Sequence, residues 1–173
     1  MGRDTADGMM VSDGKNTLMA IGVNDDVIQC ELACYEKWKN QPMSLVRELL
    51  TSGGSVDEKC EAVFAYLTNN VVYRLDDEGN QWIKSPARLL KDGCGDCKSL
   101  TMFIACCLHC LGIEHIIRFV NYDGGNQYTH VYPVAIDEMG REIVLDACEK
   151  DADGVILYNF ARSSKKHKDF RFV

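Results

Sequence analysis

Three residues of this chain have the side chains and the local contexts that nucleophilic catalysis requires, in the order Cys97, His130 and Asp146. Cys97 ends a Gly-Cys-Gly-Asp-Cys run and opens a long apolar stretch, whereas His130 and Asp146 lie in two strand-like runs. A thiol at a helix start, with an imidazole and a carboxylate on neighbouring strands, is the arrangement of a cysteine acyl-transfer enzyme. We therefore predict that Cys97 forms an acyl-enzyme, that His130 is its base, and that Asp146 fixes the tautomer of His130.

The turn before Cys97 has the composition that a nucleophile at a helix start needs. Unpaired backbone N–H groups and the positive end of the helix dipole lower the pKa of a thiol at that position. Gly93 and Gly95 allow a tight turn and the close approach of a substrate. Asp96 is the expected N-cap of the helix. Because its charge opposes a thiolate, we expect an imidazolium from His130 to be needed as well.

The turn between the second and third predicted strands decides whether His130 and Asp146 can meet. If that turn is centred on Glu138, the two residues lie directly opposite each other, with Cβ atoms about 4.5–5.5 Å apart. A hydrogen bond between the imidazole and the carboxylate is then within reach. A different turn type would shift this pairing by one residue.

Acyl transfer also needs hydrogen-bond donors at the carbonyl oxygen that becomes negatively charged. The backbone N–H of Cys97 is the first candidate, because it lies next to the attacking sulfur. The pair Gln81 and Trp82 is the second candidate for this oxyanion hole.

The cysteines around Cys97 leave two other functions open. Cys94 and Cys97 form a Cys-x-x-Cys motif, which is typical of thiol redox proteins when it accompanies a βαβ pattern, but the sequence lacks that pattern. A zinc site at these two cysteines would add Cys107 and Cys110, yet both occupy interior positions on apolar helix faces instead of turns. Oxidation could also join Cys94 to Cys97 in a regulatory disulfide.

Composition argues against several classes of protein. The 173 residues carry a net charge of −7, which disfavours nucleic acid as a partner, and we interpret the basic cluster at 162–171 as a solvated C-terminal segment. Nine cysteines, several of them crowded into one helix, indicate reduced thiols and hence the cytoplasm. The sequence shows no apolar signal core and no run of about 18 apolar residues that would span a membrane. We expect no metal or other cofactor, because Asp151 and Asp153 match a calcium loop only in part.

Hydrophobic periodicity predicts helices followed by an antiparallel sheet, which is an α+β fold. The predicted helices cover 27–39, 43–51, 56–69, 87–91 and 97–111. The predicted strands cover 115–122, 128–136 and 141–147, after a brief extended piece at 71–73 and a polar turn at 76–80. Because the helix at 97–111 is apolar nearly all round, we expect it to be buried. Pro133 inside the second strand predicts an edge strand or a bulge.

We expect one compact domain with three parts. Residues 1–54 form an N-terminal arm and helices packed on the core, 55–150 form the catalytic core, and 151–173 form a C-terminal extension. The first 26 residues are rich in Gly, Asp and Asn, and they are predicted to be a loose arm. An arm that covers the site would make the protein a latent enzyme or a binding module.

The segment around the three candidate residues resembles the transglutaminase-like superfamily, and most closely its small bacterial and phage-type members. The resemblance covers roughly residues 56–150. It rests on short motifs of this chain: Gly-Cys-Gly-Asp-Cys-Lys at 93–98, Leu-Gly-Ile at 111–113, Thr-His-Val at 129–131 and Leu-Asp-Ala at 145–147. It implies a papain-like fold whose core helix packs on an antiparallel sheet and whose catalytic residues are Cys97, His130 and Asp146. The calcium sites of large animal transglutaminases belong to a longer architecture than this chain can hold.

We predict a cysteine-dependent amide hydrolase of the peptidase or deamidase type, acting on a peptide or protein substrate. Members of the superfamily include cross-linking enzymes, peptidases, deamidases and peptide N-glycanases, so the fold does not fix the reaction. Two alternatives stay open. One is a protein-glutamine amine transferase that cross-links proteins, and the other is a non-catalytic binding module that keeps the fold. The sequence does not determine the substrate or the oligomeric state.

Overall fold

A computed structural model of the chain describes residues 24–49, 54–77 and 81–173. The helices in these ranges are α1 (Asn24–Trp38), α2 (Met43–Leu49), α3 (Val56–Asn70), α4 (Pro86–Asp92) and α5 (Cys97–Cys110). The strands in the same ranges are β1 (Val72–Tyr73), β2 (Cys94–Gly95), β3 (His115–Asn121), β4 (His130–Ile136), β5 (Glu142–Val144) and β6 (Lys166–Phe172). Helices packed against an antiparallel sheet confirm the predicted α+β fold.

Most of the predicted arm at 1–26 lies outside the described residues, as do 50–53 and the 78–80 part of the polar turn. The last residues of that arm, 24–26, instead open α1. Asp25 and Asp26 lie in its first turn, where negative side chains interact favourably with the helix dipole.

Helix starts in the second quarter of the chain follow directly from local sequence. The Ser55 hydroxyl accepts the backbone N–H of Glu58, whose carboxylate in turn accepts the N–H of Ser55, and this capping box begins α3. The Ser85 hydroxyl accepts the backbone N–H of Arg88 and caps α4, and Pro86 occupies the first helical position. Gly93 ends α4 with a φ of 66°, a left-handed conformation that favours glycine.

The larger sheet has the strand order β5-β4-β3-β6, and all its neighbouring strands are antiparallel. The segment at 162–171, interpreted from the sequence as solvated, is mostly exposed, but its residues from Lys166 onward belong to β6, which pairs with β3 along its whole length. Phe170 and Phe172 pack on the core, whereas most of the charged residues beside them face solvent. The hydrophobic periodicity of this run is weak, because it contains only two apolar side chains among charged ones. Charged side chains are common on edge strands.

Pro133 lies in an interior strand, so the predicted edge position is wrong. β5 ends at Val144, one residue before the position opposite Pro133. The Pro133 carbonyl accepts the N–H of Leu145 at 3.0 Å, but proline has no N–H to return a second hydrogen bond, so the regular β4–β5 ladder ends before this pair.

The helix α5 is the centre of the fold. Every residue from 98 to 108 is buried, which confirms that this helix is covered nearly all round. The four other helices, α1 to α4, pack against it, and so do β3 and β4 of the larger sheet. The N-terminus of α5 is thereby fixed beside β4. No helix of the described ranges is both long and apolar enough to cross a bilayer.

Candidate active site

Cys97 occupies the first position of α5, as predicted. The Asp96 side chain caps this helix by accepting the backbone N–H groups of Lys98 at 3.1 Å and Ser99 at 3.3 Å. Two of the orphan helix donors are thus satisfied by the cap. The thiol of Cys97 is half-buried at the edge of the apolar cluster that α1 and α5 share.

Gly95 is required by close packing and not by an unusual backbone conformation. A Cβ atom at Gly95 would lie 2.6 Å from Cδ1 of Leu89 and 2.9 Å from Cβ of Ser99. Such distances are far inside van der Waals contact. The absent side chain therefore lets α4 pack directly against the first turn of α5, which positions Cys97.

His130 and Asp146 are in direct contact. The Nε2 atom of His130 lies 2.7 Å from Oδ2 of Asp146, and this carboxylate is 1% exposed. The other carboxylate oxygen accepts the backbone N–H of Cys148 at 3.1 Å. Because Nε2–H donates to Asp146, the Nδ1 atom of His130 is left as the proton acceptor of the ring.

The pairing between these residues differs from the expected one. The β4–β5 ladder places Val134 opposite Val144, which centres the turn one residue beyond Glu138. Continued to Asp146, this register puts the carboxylate diagonal to His130 instead of directly opposite. Diagonal neighbours are still within reach of an imidazole, so the contact forms in spite of the shifted register.

Cys97 approaches the pair through the backbone of β4. The N–H of Val131, the residue after His130, hydrogen-bonds the Cys97 sulfur and acts to lower the pKa of this thiol. The hydroxyl of Thr101, one turn along α5, donates to the Val131 carbonyl at 3.1 Å and holds helix and strand together. The structure therefore brings the thiol to the strand residue next to the imidazole, while the catalytic roles of all three residues stay predictions.

Burial dominates the titration of Cys97. Desolvation raises the pKa of the thiol most, and the carboxyl groups of Glu31 and Asp146 raise it further. Hydrogen bonds from backbone N–H groups lower it, but the pKa still rises to about 12. The expected net lowering at a helix start is therefore wrong for this site, because the loss of water outweighs the helix terminus. Cys97 is a neutral thiol at physiological pH, and attack on a carbonyl requires that a base accept its proton.

Glu31 of α1 is an unexpected member of the site. Its side chain is fully buried, and neither carboxyl oxygen has a hydrogen-bond partner. Burial raises the pKa of Glu31 to about 8, with a smaller opposite effect from Lys98. The sequence carried a signal that our reasoning missed, because Glu31 follows Val27 and Ile28 at helical spacing and so falls on the apolar face of α1.

Lys98 links the start of α5 to the segment that precedes α4. Its buried ammonium forms ion pairs with Asp96 and, at 3.5 Å, with Asp76. The Oδ2 atom of Asp76 also accepts the backbone N–H of Trp82 at 2.6 Å. Asp76, the first residue of the polar turn predicted at 76–80, therefore takes part in a buried network.

The candidate oxyanion segment lies against the first turn of α5. The Ser99 hydroxyl accepts the N–H of Lys84 at 3.1 Å, which fixes this segment beside Cys97. Because the Trp82 backbone N–H donates to Asp76, a donor from Trp82 would have to be its indole N–H. Gln81 is exposed, and Trp82 keeps 41% of its surface exposed. Their role in an oxyanion hole stays a prediction.

The other sulfur sites considered from the sequence have different surroundings. All nine cysteines are free thiols, so Cys94 and Cys97 are not joined. Cys107 lies ten residues after Cys97 on one helix, a distance of about 15 Å, so the two cannot share a zinc ion. Within the described ranges, the residues that could share a metal ion are His130, Asp146 and Cys148, whose ligand atoms lie within 4.8 Å of one another.

Comparison with known proteins identifies the family. The profile of the transglutaminase-like superfamily matches residues 43–146, which is more than half of the chain. No curated protein matches the chain.

Solved structures that match the chain come from several bacteria. A putative cysteine protease from Cytophaga hutchinsonii is 16% identical with a TM-score of 0.51, over 90% of this chain and 58% of that chain. A putative protease from Parabacteroides distasonis ATCC 8503 is 15% identical with a TM-score of 0.57, over 69% of this chain and 26% of that chain. Legionella pneumophila LapG is 16% identical with a TM-score of 0.46, over 80% of this chain and 76% of that chain. The present chain thus spans little more than half of the Cytophaga protein.

Proposed function

The chain belongs to the transglutaminase-like superfamily, and we propose that it is a cysteine-dependent amide hydrolase that acts on a peptide or protein through a Cys97 acyl-enzyme. The observation that carries this proposal is the 2.7 Å contact between His130 Nε2 and Asp146 Oδ2. It fixes the tautomer that leaves Nδ1 of His130 free to take a proton from the thiol. The position of Cys97 beside Val131 supports the same assignment.

The first half of the reaction follows from the neutral state of the thiol. As the Cys97 sulfur attacks the substrate carbonyl, its proton moves to Nδ1 of His130. The buried carboxylate of Asp146 stabilises the imidazolium that forms. The carbonyl oxygen becomes an oxyanion, for which the backbone N–H of Cys97 and a donor from Gln81 or Trp82 are the proposed partners.

The second half reverses the proton transfer. His130 gives its proton to the leaving amine, the C–N bond breaks, and the acyl group stays on Cys97 as a thioester. Water, deprotonated by His130, then attacks the thioester and releases the acid. An amine in place of this water would give the cross-linking alternative, so the two reactions differ only in the acyl acceptor.

Acylation by an activated ester tests the proposal without a known substrate. The reduced protein is treated with p-nitrophenyl acetate, and the acetylated cysteine is identified by peptide mass mapping. We expect a fast adduct on Cys97, and the replacement His130→Ala should slow its formation by about 10²–10⁴-fold, the usual range for loss of a general base. Cys94 is the matched internal control, because it is half-buried and lies three residues upstream.

Three outcomes separate the candidate functions. An adduct on Cys97 that depends on His130 and is released by water supports the hydrolase. Release that occurs only with an added primary amine favours the amine transferase. Acylation of Cys97 that is no faster than that of Cys94, or is unchanged by His130→Ala, would contradict an enzymatic role and favour the binding module.

A further inference from the structure

We propose that His130, Asp146 and Cys148 bind a zinc ion, and that bound zinc blocks the reaction at Cys97. The ligand atoms of these residues lie within 4.8 Å of one another. Zinc commonly takes sulfur, imidazole nitrogen and carboxylate oxygen ligands at about 2.0–2.3 Å. Small side-chain movements would close such a cluster around one ion.

The cluster forms where the first residue of β4 meets the segment that follows β5. His130 begins β4, and Asp146 and Cys148 come two and four residues after the last residue of β5, Val144. The thiol of Cys148 hydrogen-bonds the Asp146 carboxylate, and the backbone N–H of Cys148 donates to Oδ1 of the same carboxylate at 3.1 Å. Asp146 therefore receives hydrogen bonds from His130 on one side and from Cys148 on the other.

Cys148 has no part in the proposed acyl transfer, so its place in this cluster needs a separate account. Its thiol is half-buried and lies within electrostatic range of Cys97. Three protein ligands leave one position for a water molecule, as in zinc sites that stay open. A hydrogen bond to the Asp146 carboxylate orients the Cys148 sulfur towards the other two ligands.

The binding step balances with the release of one proton. The Cys148 thiol loses its proton and binds zinc as a thiolate, while Asp146 binds as the carboxylate it already is. His130 binds through Nε2, and the proton of that nitrogen moves to Nδ1, so the ring stays neutral. The complex of zinc, one thiolate, one carboxylate and one neutral imidazole then has no net charge.

Inhibition follows from the change of tautomer, and this consequence rests on the proposed function. With its proton on Nδ1, His130 can no longer accept the proton of Cys97. Asp146, bound to the metal, can no longer stabilise an imidazolium. Zinc binding and acyl transfer are thus mutually exclusive, whereas zinc binding itself requires no catalytic activity.

Cobalt is the spectroscopic probe for the metal site. Purified protein is kept reduced with a phosphine and titrated with Co²⁺, and thiolate-to-cobalt charge-transfer absorption is recorded. We expect one Co²⁺ per chain, which Zn²⁺ displaces. Calorimetry in two buffers should show that one proton is released for each ion that binds. The absorption should disappear in Cys148→Ser and persist in Cys97→Ala and in the matched control Cys94→Ser.

A thermal melt shows whether each variant is folded, and Cys148→Ala replaces Cys148→Ser if the latter does not fold. Saturable binding of unchanged affinity in a folded Cys148 variant, binding that is lost in Cys97→Ala, or no saturable binding at all would overturn the proposal. In the acylation assay, zinc should block acetylation of Cys97, and a chelator should restore it. In a folded Cys148→Ser, blocking acetylation should need at least about 10–100-fold more zinc. This is the loss of metal affinity that follows when even an outer-shell partner is removed.

The hydrolase proposal and the zinc proposal can be refuted independently of each other. If metal-free protein is never acylated at Cys97 but the cobalt spectra depend on Cys148, the hydrolase proposal fails and the metal site stands. If acylation depends on His130 but no cobalt binds, the metal proposal alone fails.

Discussion

Replacing Glu31 by glutamine should stabilise the protein at alkaline pH and have a much smaller effect in mild acid. The fully buried carboxyl has no hydrogen-bond partner, and burial raises its pKa from 4.5 to about 8. The folded chain therefore keeps a proton on Glu31 that the unfolded chain loses above pH 4.5. Stability falls as pH rises between these two values, because folding must take up that proton, and above pH 8 the penalty is constant.

The size of the effect follows from the shift. Each pKa unit corresponds to about 1.4 kcal/mol. The penalty is thus about 1 kcal/mol at pH 5.5 and about 5 kcal/mol above pH 8. Three groups of α5 interact electrostatically with Glu31: the Lys98 ammonium, which favours its charge, and the thiols of Cys97 and Cys106. Glu31→Gln removes the ionisable group while keeping its shape, so the penalty should vanish.

Urea unfolding at pH 5.5 and pH 8.5 measures this difference for wild type and Glu31→Gln. The stability gained by the variant should be larger at pH 8.5 by up to about 4 kcal/mol. Comparing two pH values removes any constant effect of exchanging oxygen for nitrogen. Glu36→Gln is the matched control on the same helix, because the Glu36 side chain is 56% exposed. A stability difference between wild type and Glu31→Gln that does not change with pH would refute the reasoning.

Three other substitutions test the packing and the electrostatics of the site. Asp146→Asn should slow acetylation of Cys97 by up to about 10⁴-fold without unfolding the protein, since the amide cannot stabilise an imidazolium; acylation rates together with a thermal melt check this. Asp76→Ala should cost about 1–3 kcal/mol in urea unfolding, because it removes a partner of buried Lys98 and an acceptor of a backbone N–H. The exposed neighbour Asp77→Ala should change stability by less than about 0.5 kcal/mol. Gly95→Ala should cost about 1–3 kcal/mol and slow acetylation of Cys97, because its Cβ would overlap Leu89 and Ser99; unchanged unfolding and acylation would contradict the close packing.

Local signals predicted the parts of the fold that local chemistry controls. The capping box at Ser55 and the Ser85–Pro86 start of α4 appear in the structure where the sequence places them. The start of α5 at Cys97 was equally clear, since Asp96 could be recognised as its cap. These features depend on hydrogen bonds between residues two to four positions apart, so neighbouring residues are enough to specify them.

The parts of the fold and of the site that could not be predicted from the sequence depend on contacts between distant segments. β6 joins the sheet through backbone pairing with β3, about fifty residues earlier, and its charged side chains hide that pairing. The register of His130 against Asp146 depends on the turn near Glu138, whose type its sequence leaves open. The raised pKa of Cys97 arises from burial under α1, which no motif around the thiol reveals.

The charges around Cys97 explain why this site suits general-base catalysis better than a permanent ion pair. In the described structure, the cation of Lys98 is already paired with Asp96 and Asp76, so it gives little support to a thiolate. Asp146 is buried and would oppose an isolated negative sulfur. Transfer of the thiol proton to His130 creates a cation in contact with Asp146, and negative charge passes from the sulfur to the substrate oxygen as the new bond forms. The same carboxylate that disfavours the thiolate before the reaction therefore favours the proton transfer during it.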